Sequence, residues 1–181
     1  MGIGAMALVP LYLITVYLST LLKTELQVET SQIMLLNTMV TILWMVTLPC
    51  MGYLADKFGT VKIMSISCLS SLLLAYPLFY TLETNLSVYK IIFVQILLSI
   101  VGASFSGPAT TLLTKLFHVY ERYSGIGFGY ALGGAILGGT TPLIATTLVR
   151  WSSSPVAPSF YLMVISIIGF LSVNYAQKEA E

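Results

Sequence analysis

The residues best suited to chemistry lie in one short polar segment between two apolar runs of the sequence. This segment contains two glycines, the single aspartate of the chain and two lysines: Gly52, Asp56, Lys57, Gly59 and Lys62. The glycines permit a tight turn, and we expect Asp56 just before a helix, where free backbone N–H groups stabilise a carboxylate. The Asp56 carboxylate could therefore accept from backbone N–H groups or meet a basic residue, although an ordinary solvated turn would have the same composition.

No arrangement of residues in the sequence predicts an enzyme. A serine-type intramembrane hydrolase needs a histidine within a helix, but the single histidine, His118, falls in a predicted loop. An aspartyl type needs two helical aspartates, and a zinc enzyme needs a cluster of ligands that the sequence does not contain. Cys50 and Cys68 lie inside or at the edge of apolar runs and are predicted to be free thiols. We therefore expect no catalytic residue, no metal and no cofactor.

The bulk composition predicts the elements that position this segment. The sequence is 57% hydrophobic and 8% charged, whereas soluble domains are about 25% charged. Six apolar runs have no charge at their centre: 3–22, 32–53, 62–82, 88–114, 124–148 and 159–177. Each can cross a ~30 Å hydrocarbon core as a helix, and their continuous hydrophobicity excludes a barrel. The prediction is an all-α membrane protein, a single six-helix bundle over residues 1–181 in contact with lipid, without the basic patch of a nucleic-acid binder.

The distribution of basic residues predicts the orientation of the bundle. With both termini in the cytoplasm, the inner loops hold five basic residues: Lys57, Lys62, Lys115, Arg122 and Lys178. The outer loops then hold three: Lys23, Lys90 and Arg150. Cytoplasmic loops carry the excess of Lys and Arg in membrane proteins. We therefore expect both termini on the cytoplasmic side.

The polar segment also resembles a known signature. The pattern G-x-L-A-D-x-x-G-x-x-K, which begins at Gly52, is similar to the loop signature of the major facilitator superfamily, found between the second and third helices of each half. In that family the aspartate and basic residues form a latch that closes the cytoplasmic side, so the resemblance implies a cytoplasmic gate here. Thr60 stands where a basic residue is more usual, which implies a weaker latch.

Three later stretches, 122–135, 140–146 and 159–163, are similar to the metabolite:proton symporter branch of that superfamily, which includes proline/betaine carriers. The resemblance covers the chain as the second half of a twelve-helix protein. It implies two inverted three-helix repeats, a missing N-terminal six-helix half, and alternating-access symport with protons. The implied solute is a small zwitterion or organic acid such as proline or betaine, and the implied location is a bacterial inner membrane.

The signature leaves the state of this product open. The chain could be a remnant that transports nothing, one subunit of a split carrier, or a unit that forms a homodimer. The apolar runs contain no internal acid, and proton relays need ionisable groups within the membrane. A proton relay is therefore expected in the other half rather than in this chain.

By the resemblance, the first, second, fourth and fifth helices line the cavity. Their polar or aromatic candidates are Tyr12, Tyr17, Asn37, Trp44, Gln95 and Tyr130. Helix packing or contact with lipid explains each of them better when it is taken alone, and one or two of the group are expected to face the cavity. The fifth helix also carries small-x-x-x-small pairs at Gly129, Gly133, Gly134 and Gly138. Such pairs predict close helix packing rather than direct contact with a solute. Pro10, Pro108 and Pro142 predict kinks in the first, fourth and fifth helices.

Overall fold

The computed structural model describes residues 1–84, 86–116 and 122–180. It contains six helices long and apolar enough to cross a membrane. We label them α1 to α6 in chain order: Gly2–Thr24, Thr30–Phe58, Thr60–Thr84, Val88–Leu116, Ser124–Ser152 and Ala157–Ala180. The described residues form no strand, so the all-α prediction is confirmed. Because α1, α3 and α5 begin at the end where α2, α4 and α6 finish, we call that end, which carries Gly59, the motif end.

The helices extend beyond the predicted apolar runs, and the largest difference concerns the polar segment. The second run was predicted to end at residue 53, but α2 continues to Phe58, so Asp56 lies in its last turn and not in a turn before α3. The chain reverses at Gly59 alone, whose φ of 100° is open to glycine and strained for other residues. Its N–H donates to the carbonyl of Ala55 at 2.9 Å. A one-residue connection leaves no loop for Asp56, Lys57 and Lys62. All three residues are therefore helical.

The packing of the six helices follows a two-fold pattern. Helix α2 packs on α4 as α5 packs on α1, and α3 packs on α4 as α6 packs on α1. The pairs α2–α3 and α5–α6 correspond in the same way. Exchanging α1–α3 with α4–α6 therefore preserves these contacts. Since three crossings bring the chain to the opposite side, the two units have opposite senses, which is the arrangement of two inverted three-helix repeats.

Burial is distributed unevenly among the helices. In the most apolar 18-residue stretch of α1, 61% of the residues are buried, against 22% in α2 and 28% in α5. Helix α1 contacts α2, α4, α5 and α6 and so forms the centre of the bundle. Helices α2 and α5, which correspond in the two units, leave most of their surface uncovered.

Glycines of α4 set the distance between α2 and α4. A methyl group added at Gly107 would lie 2.7 Å from the carbonyl oxygen of Leu48 and 3.3 Å from the nitrogen of Gly52. One added at Gly102 would lie 2.5 Å from the ring of Trp44. In a membrane, where lipid is as apolar as the helices, such close approach stabilises association through dispersion contacts. The backbones of α2 and α4 are in direct contact for this reason.

Gly107→Ala is expected to destabilise the bundle by about 1–3 kcal/mol relative to Gly52→Ala, because the backbone of α2 cannot yield as a side chain can. Both variants gain the same helix propensity, about 1 kcal/mol, and a methyl group at Gly52 meets nothing within 4 Å. Thermal unfolding of the purified chain in detergent measures the difference. Equal stability of the two variants would contradict close packing of α2 on α4.

Candidate functional site

Two helices of the bundle depart from regular α-helical geometry. Helix α1 contains a π-helical turn at Leu13–Tyr17, and α5 contains one at Gly134–Gly138. In each turn a backbone N–H bonds to the carbonyl five residues back, from Leu18 to Leu13 and from Gly139 to Gly134. Such turns release backbone carbonyls from the helical pattern and are frequent at functional sites.

Side chains of neighbouring helices bond to the released carbonyls, and the Leu137 carbonyl also accepts from the Thr141 hydroxyl of α5 itself at 2.8 Å. The buried amide of Gln95 in α4 donates from Nε2 to the Ile14 carbonyl at 3.1 Å. The hydroxyl of Tyr161 in α6 donates to the Leu137 carbonyl at 2.6 Å. Helix α4 thus bonds to the irregular turn of α1, and α6 to that of α5. The break in α5 lies just before Pro142, near the kink predicted there, whereas α4 continues through Pro108 without interruption.

A polar patch opens on the surface between α1 and α2. The Ser19 hydroxyl donates to Asn37 Oδ1 at 3.0 Å, and Asn37 Nδ2 donates to the Thr15 carbonyl at 3.2 Å. Tyr12, one turn away on α1, is half-buried beside Gly138 of α5. We call Tyr12, Thr15, Ser19 and Asn37 the polar patch. It offers an aromatic ring, hydroxyl groups and an amide, all uncharged, at the depth of the π-helical turns.

The predicted cavity residues do not converge on one site. Tyr17, Trp44 and Gln95 are buried in helix packing, with the Tyr17 ring centroid 6.2 Å from that of Phe79. Among the described residues, the Tyr17 hydroxyl and Gln95 Oε1 have no hydrogen-bond partner. Tyr130 lies apart, lining a cavity of about 650 Å³ at the motif end. Tyr12 and Asn37 are the two predicted residues that share the polar patch.

Three of the four glycines predicted to pack in α5 lie directly against α1. A methyl group added at Gly133 would collide with Met1, and one at Gly134 would collide with Leu8. One added at Gly138 would be in tight contact with Leu8, 3.1 Å away, whereas Gly129 has more space.

The exposed surface of α2 carries a straight row of residues spaced three or four apart. The row consists of Met34, Thr38, Thr41, Met45, Pro49, Gly52 and Asp56, all exposed except the half-buried Gly52. The adjacent exposed positions Leu35, Ile42 and Val46 are purely aliphatic, as lipid contact requires. The row mixes hydroxyls, small residues and a carboxylate, which is typical of a surface that faces water or another protein unit rather than acyl chains. We call it the α2 row.

The α2 row ends in the polar segment, and Asp56 is in an unfavourable position there. A carboxylate in the last turn of a helix faces the negative end of the helix dipole. Within the described part of the chain, Asp56 is exposed and forms no ion pair. Lys57 Nζ lies 5.7 Å from the centroid of the Phe58 ring, and the Lys62 side chain is exposed in the first turn of α3. The Asp56 carboxylate is therefore available to pair with a cationic group from outside these residues.

The family model described as Major Facilitator Superfamily matches residues 1–180. The chain belongs to the major facilitator superfamily. Its relatives match the metabolite:proton symporter branch, as the sequence predicted. No solved structure matches the chain.

Curated relatives are similar to almost the whole chain. The "Citrate-proton symporter" of Klebsiella pneumoniae is 29% identical over 97% of this chain and 40% of its own length. The "Putative proline/betaine transporter" of Staphylococcus aureus (strain COL) is 32% identical over 91% of this chain and 35% of its own. The "Proline/betaine transporter" of Escherichia coli (strain K12) is 26% identical, over 89% and 32%. The chain thus spans about a third to two-fifths of the length of these relatives.

Sequence reasoning missed several residues of the α2 row and the polar patch, and also Tyr161 of α6. Thr38 and Thr41 were overlooked because threonine is compatible with any helix face, but their spacing with Met34, Met45 and Asp56 was a usable signal. Thr15, Ser19 and Tyr161 had no such signal, because their roles depend on the π-helical turns. His118 lies outside the described residues.

Gly59→Ala is expected to lower the free energy of unfolding by about 1–3 kcal/mol, because an L side chain is strained at a φ of 100°. The matched control is Gly127→Ala, since neither position has an atom within 4 Å of an added methyl group and Gly127 lies within a regular helix. Thermal unfolding in detergent compares them. A Gly59→Ala variant as stable as Gly127→Ala would show that the connection between α2 and α3 does not need glycine.

Proposed function

We propose that this chain is the C-terminal six-helix half of a secondary transporter and that it works with a second six-helix unit by alternating access. The observation that carries the proposal is the α2 row, an exposed surface of mixed polarity at membrane depth. The Thr38 hydroxyl donates to the Met34 carbonyl of its own helix, but the Thr41 hydroxyl and the carboxylate at the end of the row are unfavourable against acyl chains. A second unit, with a water-filled path between the two, would cover it.

The extent of the relatives supports the same proposal. Each relative is longer than this chain, which matches about a third to two-fifths of it. Inverted repeats that meet at mid-membrane and tilt against one another are a general design of secondary transporters. The polar patch, whose Asn37 lies one helical turn from Met34 and Thr41 of the α2 row, would then be one half of a shared solute site.

The chemistry of the polar patch favours a small dipolar solute. Its groups are neutral, so they can bind a carboxylate through the second N–H of Asn37 Nδ2 and a cationic group through the face of the Tyr12 ring. Relatives named as proline/betaine and citrate carriers support a zwitterion or an organic acid as solute. The described helix interiors provide no acid for a proton relay, so proton coupling would depend on the second unit.

The location proposed for this half is a bacterial inner membrane with both termini in the cytoplasm, supported by the five-to-three distribution of basic residues. The motif end is then cytoplasmic. Asp56, without a partner in the described chain, would pair with a cation or helix N-terminus of the second unit when the cytoplasmic side closes. Gly52, with open space beside it, would allow that unit to approach.

The test is uptake of labelled proline, glycine betaine and citrate by transporter-deficient cells. We expect insertion without uptake from the 181-residue chain alone, and uptake when the N-terminal six helices of the Staphylococcus aureus relative are co-expressed. Asp56→Asn is expected to reduce that uptake about tenfold, since coupling between two conformations is typically worth 5–150-fold.

Glu29→Gln is the matched control, because it removes an exposed carboxylate at the opposite end of the same helix. It should leave uptake unchanged. Uptake by the chain alone would show a self-sufficient homo-oligomer and contradict the proposal of a half. Stable co-assembly without uptake of any solute would instead identify a remnant.

A further inference from the structure

A π-helical turn of α1 separates two residues of the polar patch. Tyr12 precedes the turn at Leu13–Tyr17, and Ser19 follows it. In a regular α-helix, residues seven positions apart lie on one face. A π-helical turn adds about one residue to the helical register, so it rotates Ser19 by about 100° relative to Tyr12. The turn therefore directs these two residues toward different neighbouring helices.

The contacts of the two residues agree with this rotation. A methyl group added at Gly138 of α5 would lie 3.4 Å from the Tyr12 ring. The Ser19 hydroxyl instead donates to Asn37 Oδ1 of α2, at 3.0 Å. The turn thus sets the angle between the aromatic ring of the patch and its hydroxyl–amide pair. A regular helix would return Ser19 to the face of Tyr12 and separate it from Asn37.

Two successive carbonyls of the turn accept hydrogen bonds from side chains of different helices. Asn37 Nδ2 of α2 donates to the Thr15 carbonyl at 3.2 Å. Gln95 Nε2 of α4 donates to the Ile14 carbonyl at 3.1 Å. Asn37 is half-buried in the patch, whereas Gln95 is 0% exposed. Gln95 therefore contacts the turn from the interior of the bundle, behind the patch.

Packing alone does not account for an amide at position 95. Gln95 Oε1 has no hydrogen-bond partner among the described residues, and an unsatisfied buried acceptor is destabilising. Exchange of Oε1 and Nε2 would place two oxygens against each other at the Ile14 carbonyl, so the orientation of the amide is determined. A methionine would fill the same volume without an unsatisfied oxygen. What the amide adds is its bond to the turn.

We propose that Gln95 is a positioning residue, which holds the Ile14 carbonyl and so maintains the π-helical turn that keeps Ser19 beside Asn37 in the solute site. Gln95 acts from behind the polar patch and does not touch the solute. The role of the patch as a solute site rests on the proposed function. The geometry of the turn does not, so the two are tested separately.

Disulfide cross-linking measures the position of Ser19 in membranes that contain this chain alone. Ser19→Cys combined with Asn37→Cys, in a background with Cys50→Ser and Cys68→Ala, is expected to cross-link on oxidation, because the two native side chains are in contact. Asn37→Cys also removes one bond to the turn, which then depends more strongly on Gln95. Gln95→Met, which keeps the volume and removes the donor, is expected to slow cross-linking about fivefold, the effect of one hydrogen bond.

Two variants distinguish positioning of the turn from general packing of α4 on α1. The matched control is Ser106→Ala, because the Ser106 hydroxyl of α4 also donates to an α1 carbonyl, that of Ala7, at 3.1 Å, but ahead of the turn. It should leave the cross-linking rate unchanged. Gln95→Glu should restore the rate, because a carboxyl group in apolar surroundings stays protonated at neutral pH and can donate to the Ile14 carbonyl. Thermal unfolding of each variant in detergent identifies any loss that comes from misfolding, and recovery in Gln95→Glu then decides.

Uptake with a co-expressed second unit provides the functional readout. Gln95→Met is expected to raise KM about fivefold and to change the maximal rate less than about twofold, since a misplaced patch weakens solute binding. Cross-linking that Gln95→Met leaves unchanged, that Ser106→Ala slows equally, or that Gln95→Glu does not restore would overturn the proposal. An unchanged KM despite slower cross-linking would overturn its link to the solute. If no solute is taken up at all, the proposed function fails, and cross-linking of the chain alone still decides whether Gln95 positions Ser19.

Discussion

The structure depends on one constraint: in hydrocarbon, each backbone N–H and carbonyl must find its partner within the protein. Regular helices satisfy this constraint by themselves, which is why six of them account for most of the chain. The π-helical turns of α1 and α5 do not, since each releases a carbonyl. Gln95 satisfies the carbonyl of Ile14 from α4, and Tyr161 of α6 satisfies that of Leu137 together with Thr141 of α5 itself. The bonds from Gln95 and Tyr161 link α4 to α1 and α6 to α5.

The two-fold pattern of packing explains where the bundle remains open. The central helix α1 and its counterpart α4 are covered by other helices, while α2 and its counterpart α5 each leave a broad surface exposed. On α2 this surface divides into an aliphatic side and the α2 row, so a single helix presents one face suited to lipid and one that is not. The polar patch opens on the same side of the bundle. The proposed transport function follows from this division of surfaces rather than from any single residue.

The sequence predicted the fold closely because continuous hydrophobicity and the lack of central charges determine the number of membrane helices. It placed Asp56 in a turn, because a charge usually marks the end of an apolar run, whereas the structure reverses the chain at Gly59 alone. The predicted cavity residues separated for a different reason. Aromatic and amide side chains are useful both in cavities and in packing, and sequence does not distinguish the two. Gln95 bonds to the Ile14 carbonyl because of a π-helical turn that no residue pattern predicted. Thr38 and Thr41 were missed because threonine is an ordinary residue on any helix face.

The most direct measurement of the central claim compares the two sides of the exposed surface of α2 in membranes that also contain a second six-helix unit. The background variant carries Cys50→Ser and Cys68→Ala. One further cysteine is then introduced, either Thr41→Cys in the α2 row or Ile42→Cys on the aliphatic side. Each variant is treated with a water-soluble maleimide. Thiols react as thiolates in water and remain inert in hydrocarbon. The account predicts that Thr41→Cys is labelled in these membranes, because the α2 row faces a water-filled path. Ile42→Cys is predicted to remain unlabelled, because it faces lipid. Equal protection of both cysteines in every condition would show that the α2 row faces lipid, and would contradict the proposal that this chain forms half of a transport pathway.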